Sequence, residues 1–461
     1  MDATGVAEAV RRGEITAVDT VTTSLERIAS TAELNAFTVV LADSALERAA
    51  EVDAGRVTGP LAGVPISVKD HVWIEGLPAT NGSRALADHV APATCVAVQR
   101  LLDAGAVVVG RTNNPEFCYR GVTDNELFGP TRNPHDPSRT TGGSSGGAAA
   151  SVASGAVPLA VGTDGGGSIR IPSAFCGTFG LKPTFGRVPK MPGFQGWPTL
   201  SVTGPIASSA RDLRLALDVM SGRHPADPLS FDARPAPSRR TVRVAVSADL
   251  GVADLDPDVR AAFEAAVADL PYEVVAATPP DDDPTALWDA IALPEGYASE
   301  GPLVEAHPGL VGADAAAITL AGRDVTAADY LAAQLRRAAY AARWDAFFAE
   351  VDILLTAAMP VTAFELGRLA PPTIDGRPVP DSFDAWCALA LPANLAGLPA
   401  ACVPIGAGRD RLPVGLQVLG ARWSDELVLT VAERLTTTPA QTCPDLSAGR
   451  SRRSRTSPRL R

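Results

Sequence analysis

The sequence predicts a single large α/β domain. Short apolar segments with strand character alternate with helical segments through most of the 461 residues, which is the order expected of α/β proteins. We find no internal repeat and no obvious linker that would divide the chain. The composition, with 46% hydrophobic and 20% charged residues, is typical of a globular protein.

Helices are predicted first at residues 6–30, where apolar side chains recur at spacings of three and four and Gly13 separates two short helices. Further helices are predicted at 96–104, at 145–154, and from the capping box Thr326–Asp329 to about Phe348. Strands are predicted at short apolar runs bounded by turn residues: 63–68, 106–109, 157–161, 352–356 and 414–419. Loop-forming residues predict connections at 111–141 and 222–240.

The composition argues against a membrane, secreted or metal-binding protein. No apolar run reaches about 18 residues, and residues 1–5 lack the basic and apolar regions of a secretory signal. The six cysteines have no C-x-x-C spacing and the five histidines form no helical pair, so neither a metal site nor a disulfide framework is expected. We therefore expect a cytoplasmic protein that holds no metal ion.

The charge is distributed unevenly along the chain. Residues 444–461 contain six arginines and one aspartate, a charge of +5, which leaves −17 on residues 1–443 for a net charge of −12. We predict that this basic tail is disordered and that residues 1–443 form the domain. An acidic body is a poor surface for nucleic acid, so neither nucleic acid nor a membrane is expected as a partner.

Lysine is rare in this chain. Of the 40 basic residues only Lys69, Lys182 and Lys190 are lysines, and the other 37 are arginines. Arginine does not lose its proton in a protein, whereas a buried lysine can. The three lysines are therefore the positions at which proton chemistry is to be sought.

Two glycine-rich loops, 142–147 (GGSSGG) and 162–170 (GTDGGGSIR), flank the predicted helix and strand at 145–161. Consecutive glycines allow backbone N–H groups to point into one concave spot, which binds an anion or a developing oxyanion. Neither loop has the lysine of a phosphate-binding P-loop. An oxyanion site beside Ser168 is one interpretation, and a tight turn with a flexible connection is the other.

A second interpretation of the first loop is the G-x-S-x-G nucleophile elbow of α/β-hydrolases, centred on Ser145. That motif needs a preceding strand and a downstream histidine. The preceding residues have loop character, and the downstream histidines, His224 and His307, stand beside prolines in predicted turns. This pattern therefore counts as a weaker alternative.

If no histidine serves as base, Lys69 is a candidate because it follows an apolar strand. Desolvation there would favour the neutral amine, which needs its pKa to fall by about 3 units from about 10.4. The alternative is a surface ion pair with Asp70, and the spacing alone favours that interpretation.

Taken together, these segments resemble the amidase-signature family. The resemblance rests on 64–70, 142–147 and 162–170, with Pro172, 175–177 and 180–184 following. It continues through later segments and spans about residues 6–436: 204–207, 352–356, 394–399 and 412–417. The family's fold implies a large mixed central β-sheet covered by α-helices on both faces.

The resemblance also implies roles for individual residues. Lys69 would be the base, Ser144 the bridging serine that follows a cis peptide after Gly143, and Ser168 the nucleophile. The oxyanion hole would be formed by four backbone N–H groups, those of Gly165, Gly166, Gly167 and Ser168. Hydrolysis of this kind uses neither a metal nor an organic cofactor.

The chain departs from the family pattern at several positions. Gly165 stands where the family often has a bulkier residue, which would loosen the hole or widen the pocket. Residues 114–120 (NPEFCYR) and Ile171 differ from the branch of tRNA-dependent amidotransferases. These departures favour a free-standing amidase that cleaves a small-molecule amide, aryl amide or carbamate. The A subunit of an amidotransferase and a non-catalytic binding protein remain as alternatives.

The pocket is harder to predict than the catalytic residues. Residues 270–345 bear the fewest motifs and are the candidate lid and specificity region. Five residues are candidates for contact with substrate, although an aromatic residue in such a position is more often core: Gly143, Trp288, Tyr297, Phe383 and Trp386. A homodimer is left open.

Overall fold

The structure, a computed structural model, describes residues 1–232, 241–280 and 282–436. The predicted basic tail at 444–461, Cys443 and part of the predicted connection at 222–240 lie outside these ranges. None of the helices in the described ranges has the length and hydropathy needed to cross a membrane.

The described residues contain thirteen α-helices. In chain order they are α1 Ala3–Arg11, α2 Ala17–Ser30, α3 Ala42–Asp53, α4 Val96–Asp103, α5 Gly146–Ala153, α6 Arg170–Cys176, α7 Ala210–Met220, α8 Pro257–Val267, α9 Thr285–Ala306, α10 Ala313–Ala321, α11 Ala327–Glu350, α12 Leu391–Leu395 and α13 Asp425–Thr436.

The same residues contain thirteen β-strands. They are β1 Phe37–Val40, β2 Pro65–Lys69, β3 Val107–Thr112, β4 Leu159–Asp164, β5 Phe179–Lys182, β6 Val202–Ala207, β7 Arg243–Val246, β8 Glu273–Val274, β9 Ile353–Ala357, β10 Thr373–Ile374, β11 Arg377–Pro378, β12 Ala400–Ala407 and β13 Pro413–Gly420.

Eleven of these strands form one mixed sheet in the order β1-β3-β2-β4-β6-β5-β12-β13-β9-β7-β8, and β10 and β11 form a separate hairpin. Strands β3, β2 and β4 run parallel at one end and β9, β7 and β8 at the other, while the pairs between them are antiparallel. This architecture confirms the α/β domain with a mixed sheet.

Helices cover both faces of the sheet, because alternate residues of each strand enter different cores. In β4, Leu159 and Val161 join a core that contains Leu101 of α4 and Leu213 of α7. Ala160, between them, faces the opposite core, which α2, α3 and α5 complete. The pattern confirms helices on both faces, and it buries the strand ends on which the site is built.

The predicted elements match those observed, with shifts at their ends. The capping box at Thr326 is present, with both of its reciprocal bonds to Asp329, and it starts α11. The strand predicted at 157–161 instead covers Leu159–Asp164. It continues through the polar residues Thr163 and Asp164 because β6 pairs with both of them. Their side chains accept hydrogen bonds from Lys69 and Arg170, respectively.

Candidate active site

Lys69 lies where two parallel strands end side by side. Strand β2 pairs with β4 in the register Val68–Val161, so Lys69 at the end of β2 lies beside the last residues of β4. Its Nζ donates to Ser144 Oγ at 2.7 Å and to Thr163 Oγ1 at 2.8 Å, and the side chain has no exposed surface. Burial lowers the pKa of Lys69 and outweighs Cys118 and Asp164, which act to raise it. The amine is thus biased towards its neutral form and aligned on a serine.

Ser144 immediately precedes the segment that opens α5. The Gly143–Ser144 peptide bond is cis, as the resemblance implies. Gly143 passes so close to another segment that an added Cβ would lie 2.6 Å from the Val122 carbonyl oxygen. Only glycine fits there, and its placement presents the Ser144 hydroxyl to Lys69. Gly143 therefore acts through backbone geometry.

Ser145 has different partners from Ser144. Its Oγ donates to the Thr163 carbonyl at 3.2 Å and accepts the Thr163 N–H at 3.3 Å, which fastens the first glycine loop to β4. His224 accepts the Ala226 N–H within its own turn, and His307 is exposed at the end of α9. The nucleophile-elbow interpretation requires a downstream histidine beside Ser145. The structure places neither His224 nor His307 there.

Ser168 closes the second glycine loop, residues 165–168, hereafter the glycine loop. The Ser145 N–H donates to the Ser168 carbonyl at 3.1 Å, which holds the two glycine-rich segments side by side. Ser168 keeps 8% of its surface exposed, whereas Lys69 and Ser144 have none. Of the three predicted catalytic residues, Ser168 is therefore the one that a substrate can reach.

The hydrogen bonds of the glycine loop correct one part of the predicted oxyanion hole. The Gly167 N–H donates to Asp164 Oδ1 at 2.8 Å, so it is already occupied. Within the described part of the chain, no hydrogen bond is donated by the N–H of Gly165, Gly166 or Ser168. Three predicted donors therefore stay free for a ligand, and Gly167 supports the loop instead.

A buried ion pair fixes the shape of this loop. Arg170 donates from Nε and Nη2 to the two oxygens of Asp164, both at 2.9 Å, and neither side chain is exposed. Arg170 also donates to Asn394 Oδ1 and Gln417 Oε1, each at 2.6 Å. Burial acts to raise the pKa of Asp164, but the Arg170 guanidinium outweighs it and holds that pKa below its usual range. The carboxylate is thus charged and can orient the loop's N–H groups.

A partly open cavity of about 230 Å³ lies near the glycine loop; no residue of the loop lines it, but two of its lining residues, Trp197 and Trp288, contact Gly165. Its walls include the rings of Tyr119, Trp197, Trp288 and Phe383. The Trp288 Nε1–H donates to the Gly165 carbonyl at 2.9 Å, and an added Cβ on Gly165 would lie 2.5 Å from the Trp197 ring. Gly165 therefore does not widen the pocket, because Trp197 fills the space that a side chain would occupy.

The structure separates the predicted pocket residues into two groups. Trp288 and Phe383 line the cavity. Tyr297 does not: it is nine residues after Trp288, two and a half helical turns, so it points to the opposite side of α9 and donates to Glu305 at 3.0 Å. Trp386 is core, stacked on Phe175 with its Nε1 bonded to the Leu369 carbonyl. Neither Tyr297 nor Trp386 therefore lines this cavity.

Several residues at the site were not predicted. The Cys118 thiol lies against Lys69, His71 and Ser144 in a turn where its φ is 63°. Behind it the Tyr119 hydroxyl donates to Glu300 Oε2 at 2.7 Å. The available signal was the departure of residues 114–120 from the family pattern, which marks a changed surface without saying what that surface faces. In the described ranges, no group of three or more His, Cys, Asp or Glu residues is arranged to hold a metal ion.

Comparison with known proteins identifies the family. A family model described as Amidase matches residues 19–298 and 311–429 of the chain. The chain therefore belongs to the amidase family, the amidase-signature enzymes. It is a hydrolase that acts on carbon–nitrogen bonds.

Three similar proteins illustrate the range of this family. An acylamidase from Rhodococcus erythropolis is 37% identical over 409 residues, which is 84% of each chain. A glutamyl-tRNA(Gln) amidotransferase subunit from Synechococcus sp. (strain RCC307) is 36% identical and covers 92% of this chain and 94% of its own. The crystal structure of a bacterial aryl acylamidase superposes with a TM-score of 0.88 at 29% identity, covering 98% of this chain and 99% of that one.

Proposed function

We propose that the protein hydrolyses the amide bond of a small molecule through an acyl-enzyme on Ser168, with Ser144 and Lys69 as the proton relay. The observation that carries the proposal is the 2.7 Å contact between Lys69 Nζ and Ser144 Oγ in a fully buried setting. A desolvated amine aligned on a serine hydroxyl is an arrangement suited to proton transfer.

The first half of the reaction forms the acyl-enzyme. Ser168 Oγ attacks the carbonyl carbon while its proton passes to Ser144, whose own proton passes to Lys69. The carbonyl electron pair moves onto oxygen, where the free N–H groups of Gly165, Gly166 and Ser168 can stabilise it. One such donor is worth about 3–4 kcal/mol in comparable sites.

The second half regenerates the enzyme. The C–N bond breaks as Lys69 returns a proton through Ser144 to the departing nitrogen, and the amine leaves. A water molecule then attacks the Ser168 ester and gives its proton to the same relay. The C–O bond breaks, Ser168 recovers its proton and the carboxylic acid is released.

The cavity supports a small substrate. A cavity of about 150 Å³ holds benzene in another protein, so about 230 Å³ has room for one aromatic ring with a short substituent. The wall formed by α9 and α10 belongs to the predicted specificity region at 270–345. An aryl or arylalkyl amide is therefore the substrate class that we propose.

Covalent labelling tests the proposed nucleophile directly. After incubation with a fluorophosphonate, we expect one adduct per chain, which peptide mapping locates on Ser168. The variant Lys69→Met should label far more slowly, because Ser168 loses the base that removes its proton. An adduct on Ser145, or equal labelling of the Lys69 variant, would contradict the proposal.

A second candidate function is that of an amidotransferase A subunit, which the 92% coverage by the Synechococcus relative favours. It predicts release of ammonia from glutamine only in the presence of partner subunits. Glutamine carries an α-carboxylate, whereas the one guanidinium among the cavity-lining residues, that of Arg120, is already paired with Asp314. Ammonia release from glutamine and amine release from an anilide, each assayed on the isolated chain, separate the two functions.

A further inference from the structure

The cavity beside the glycine loop changes character between its walls and its rim. The walls are aromatic, with Tyr119, Trp197, Trp288 and Phe383 around the space. The rim carries four carboxylates and one guanidinium: Asp289, Asp314, Asp381, Asp384 and Arg120. The carboxylates at the mouth of the cavity therefore outnumber the one positively charged group beside them.

Two of the four carboxylates already have partners. Asp314 forms an ion pair with Arg120. Asp381 accepts the N–H groups of Leu369 and Ala370, each at 2.9 Å, and lies 3.9 Å from Arg368. These two residues therefore hold the rim together and are not available to a ligand.

The other two, Asp289 and Asp384, lack such partners. Within the described ranges, neither forms an ion pair, and the nearby charged group is a third carboxylate, Asp283. Burial raises the pKa of Asp289 to about 6, and the charges of Asp384 and Asp283 act in the same direction. Burial and Asp283 likewise raise the pKa of Asp384. Both carboxylates thus line the cavity, Asp289 partly buried and Asp384 exposed, and no cation of the described residues pairs with either.

A ligand cation would relieve this arrangement in two ways. It would neutralise the mutual repulsion of Asp289 and Asp384, which is costly in a partly desolvated site. It would also lie close to the faces of the aromatic walls, which attract organic cations through their π systems. Trp288 precedes Asp289 on α9 and touches the glycine loop, so the charged rim is one side chain away from the oxyanion donors.

We propose that this cavity binds a substrate substituent that carries an organic ammonium group, held by Asp289 and Asp384 over the aromatic walls. That the ligand is a substrate rests on the proposed function. The substrate class becomes an amide with an aromatic or arylalkyl group that bears an amine. A neutral aryl amide fits the walls but leaves the two carboxylates unpaired.

Equilibrium binding tests the subsite without relying on catalysis. Benzylamine, protonated at neutral pH, and benzyl alcohol have nearly the same shape and differ in charge. Titrated into the full-length protein and followed by calorimetry and tryptophan fluorescence, benzylamine should bind about tenfold more tightly at pH 7.5. The preference should fall severalfold at pH 5, where Asp289 gains a proton.

Two double variants show where the preference comes from. Asp289→Asn with Asp384→Asn should bring the ratio of the two affinities close to one while leaving the affinity for benzyl alcohol unchanged. The control Asp43→Asn with Glu47→Gln makes the same change in net charge on exposed positions of α3 and should keep the full preference. Equal affinities in the wild type, or a preference that survives in the first variant, would overturn the proposal.

The result is independent of the labelling experiment. Labelling of Ser168 without any preference for benzylamine would leave the amide hydrolase standing and remove the ammonium subsite. A preference for benzylamine without labelling of Ser168 would leave the subsite standing and remove the nucleophile assignment.

Discussion

At the scale of single residues, the three lysines of the chain differ in what their amines contact. Lys182 is buried, with its pKa lowered to about 7 by burial, and it donates to the Pro183 carbonyl at 3.0 Å. Lys190 has its pKa lowered to about 8 by burial and donates to backbone carbonyls that include that of Pro198. A carbonyl oxygen has no proton to give, whereas the hydroxyls beside Lys69 do. Desolvation is therefore common to all three lysines, and of the three only Lys69 can exchange protons with its partners.

Loss of either the nucleophile or the base should abolish turnover. We expect Ser168→Ala and Lys69→Met each to lower kcat by several orders of magnitude, since each removes a group that the others cannot replace. Both variants should remain folded, because neither leaves a buried charge behind. The control Ser151→Ala removes a buried hydroxyl from α5, bonded to Ser67, and should keep kcat within a few-fold. Near-normal rates in Lys69→Met would contradict the relay.

The Cys118 thiol should set part of the pH dependence. Its contact with Lys69 acts to raise the pKa of the amine. Removing it with Cys118→Ala should lower that pKa, so that the neutral base persists to lower pH and the acidic limb of kcat/KM moves to lower pH. The control Cys95→Ala removes a thiol that bonds to the Lys190 carbonyl and should leave the profile in place. An unchanged acidic limb in Cys118→Ala would exclude this coupling.

Glu300 should make the protein less stable as the pH rises. Burial raises its pKa to about 7 from an ordinary value of 4.5. Between these values the folded state holds a proton that the unfolded state has lost, so the free energy of unfolding falls with rising pH. Glu300→Gln keeps an acceptor for the Tyr119 hydroxyl and should raise stability at pH 8 by about 3 kcal/mol at most. The gain should vanish near pH 4.5, and a gain that is equal at both pH values would contradict this origin.

At the scale of elements, the connection from β4 to α6 combines two tasks. Within the described residues, the N–H groups of Gly165, Gly166 and Ser168 donate no hydrogen bond, whereas those of Gly167 and Ile169 bind the carboxylate of Asp164. Asp164 ends β4 and Arg170 begins α6, so the ion pair joins the two elements across the loop. The rigidity of the glycine loop thus comes from the elements that it connects.

Breaking that ion pair should destabilise the whole protein. Arg170→Met leaves the Asp164 carboxylate buried without a counter-charge, which typically costs about 3–5 kcal/mol. We therefore expect a clear loss of thermal stability together with loss of activity. Adding Asp164→Asn to the same chain removes the uncompensated charge and should restore part of the melting temperature but not the activity. A double variant that is no more stable than Arg170→Met would contradict this origin of the loss.

The elements could be predicted from sequence where local interactions decide them. The capping box at Thr326 and the apolar run before Lys69 are local signals, and both were confirmed. The direction of Tyr297 depends on the rotation of α9 against the sheet, and the use of the Gly167 N–H depends on how Asp164 bends back. Cys118 reaches Lys69 only after distant segments fold together. These features arise from contacts between distant parts of the chain, which local patterns do not encode.

At the scale of the whole molecule, one chain supplies every part of the proposed site. The sheet provides Lys69 and Thr163 from adjacent parallel strands. The glycine-rich loop before α5 and the one after β4 lie side by side, joined by the hydrogen bond from Ser145 to Ser168. The walls of the cavity come from α9, α10, the segment around Phe383 and the rings of Tyr119 and Trp197. A second copy of the chain is therefore not needed to complete the proposed site, and the sequence leaves a homodimer open.

Activity should accordingly be a property of the single chain. We expect kcat per chain on an aryl amide to stay constant as the protein is diluted a thousandfold, even if light scattering shows dimers dissociating over the same range. Because Lys69, Ser144 and Ser168 are all held by bonds within the chain, dissociation would remove no catalytic group. Fluorophosphonate labelling at the two extremes of concentration gives a check that is independent of substrate. A loss of both rate and labelling on dilution would mean that a neighbouring chain helps to form the site, and it would favour the view that this protein works within a larger complex.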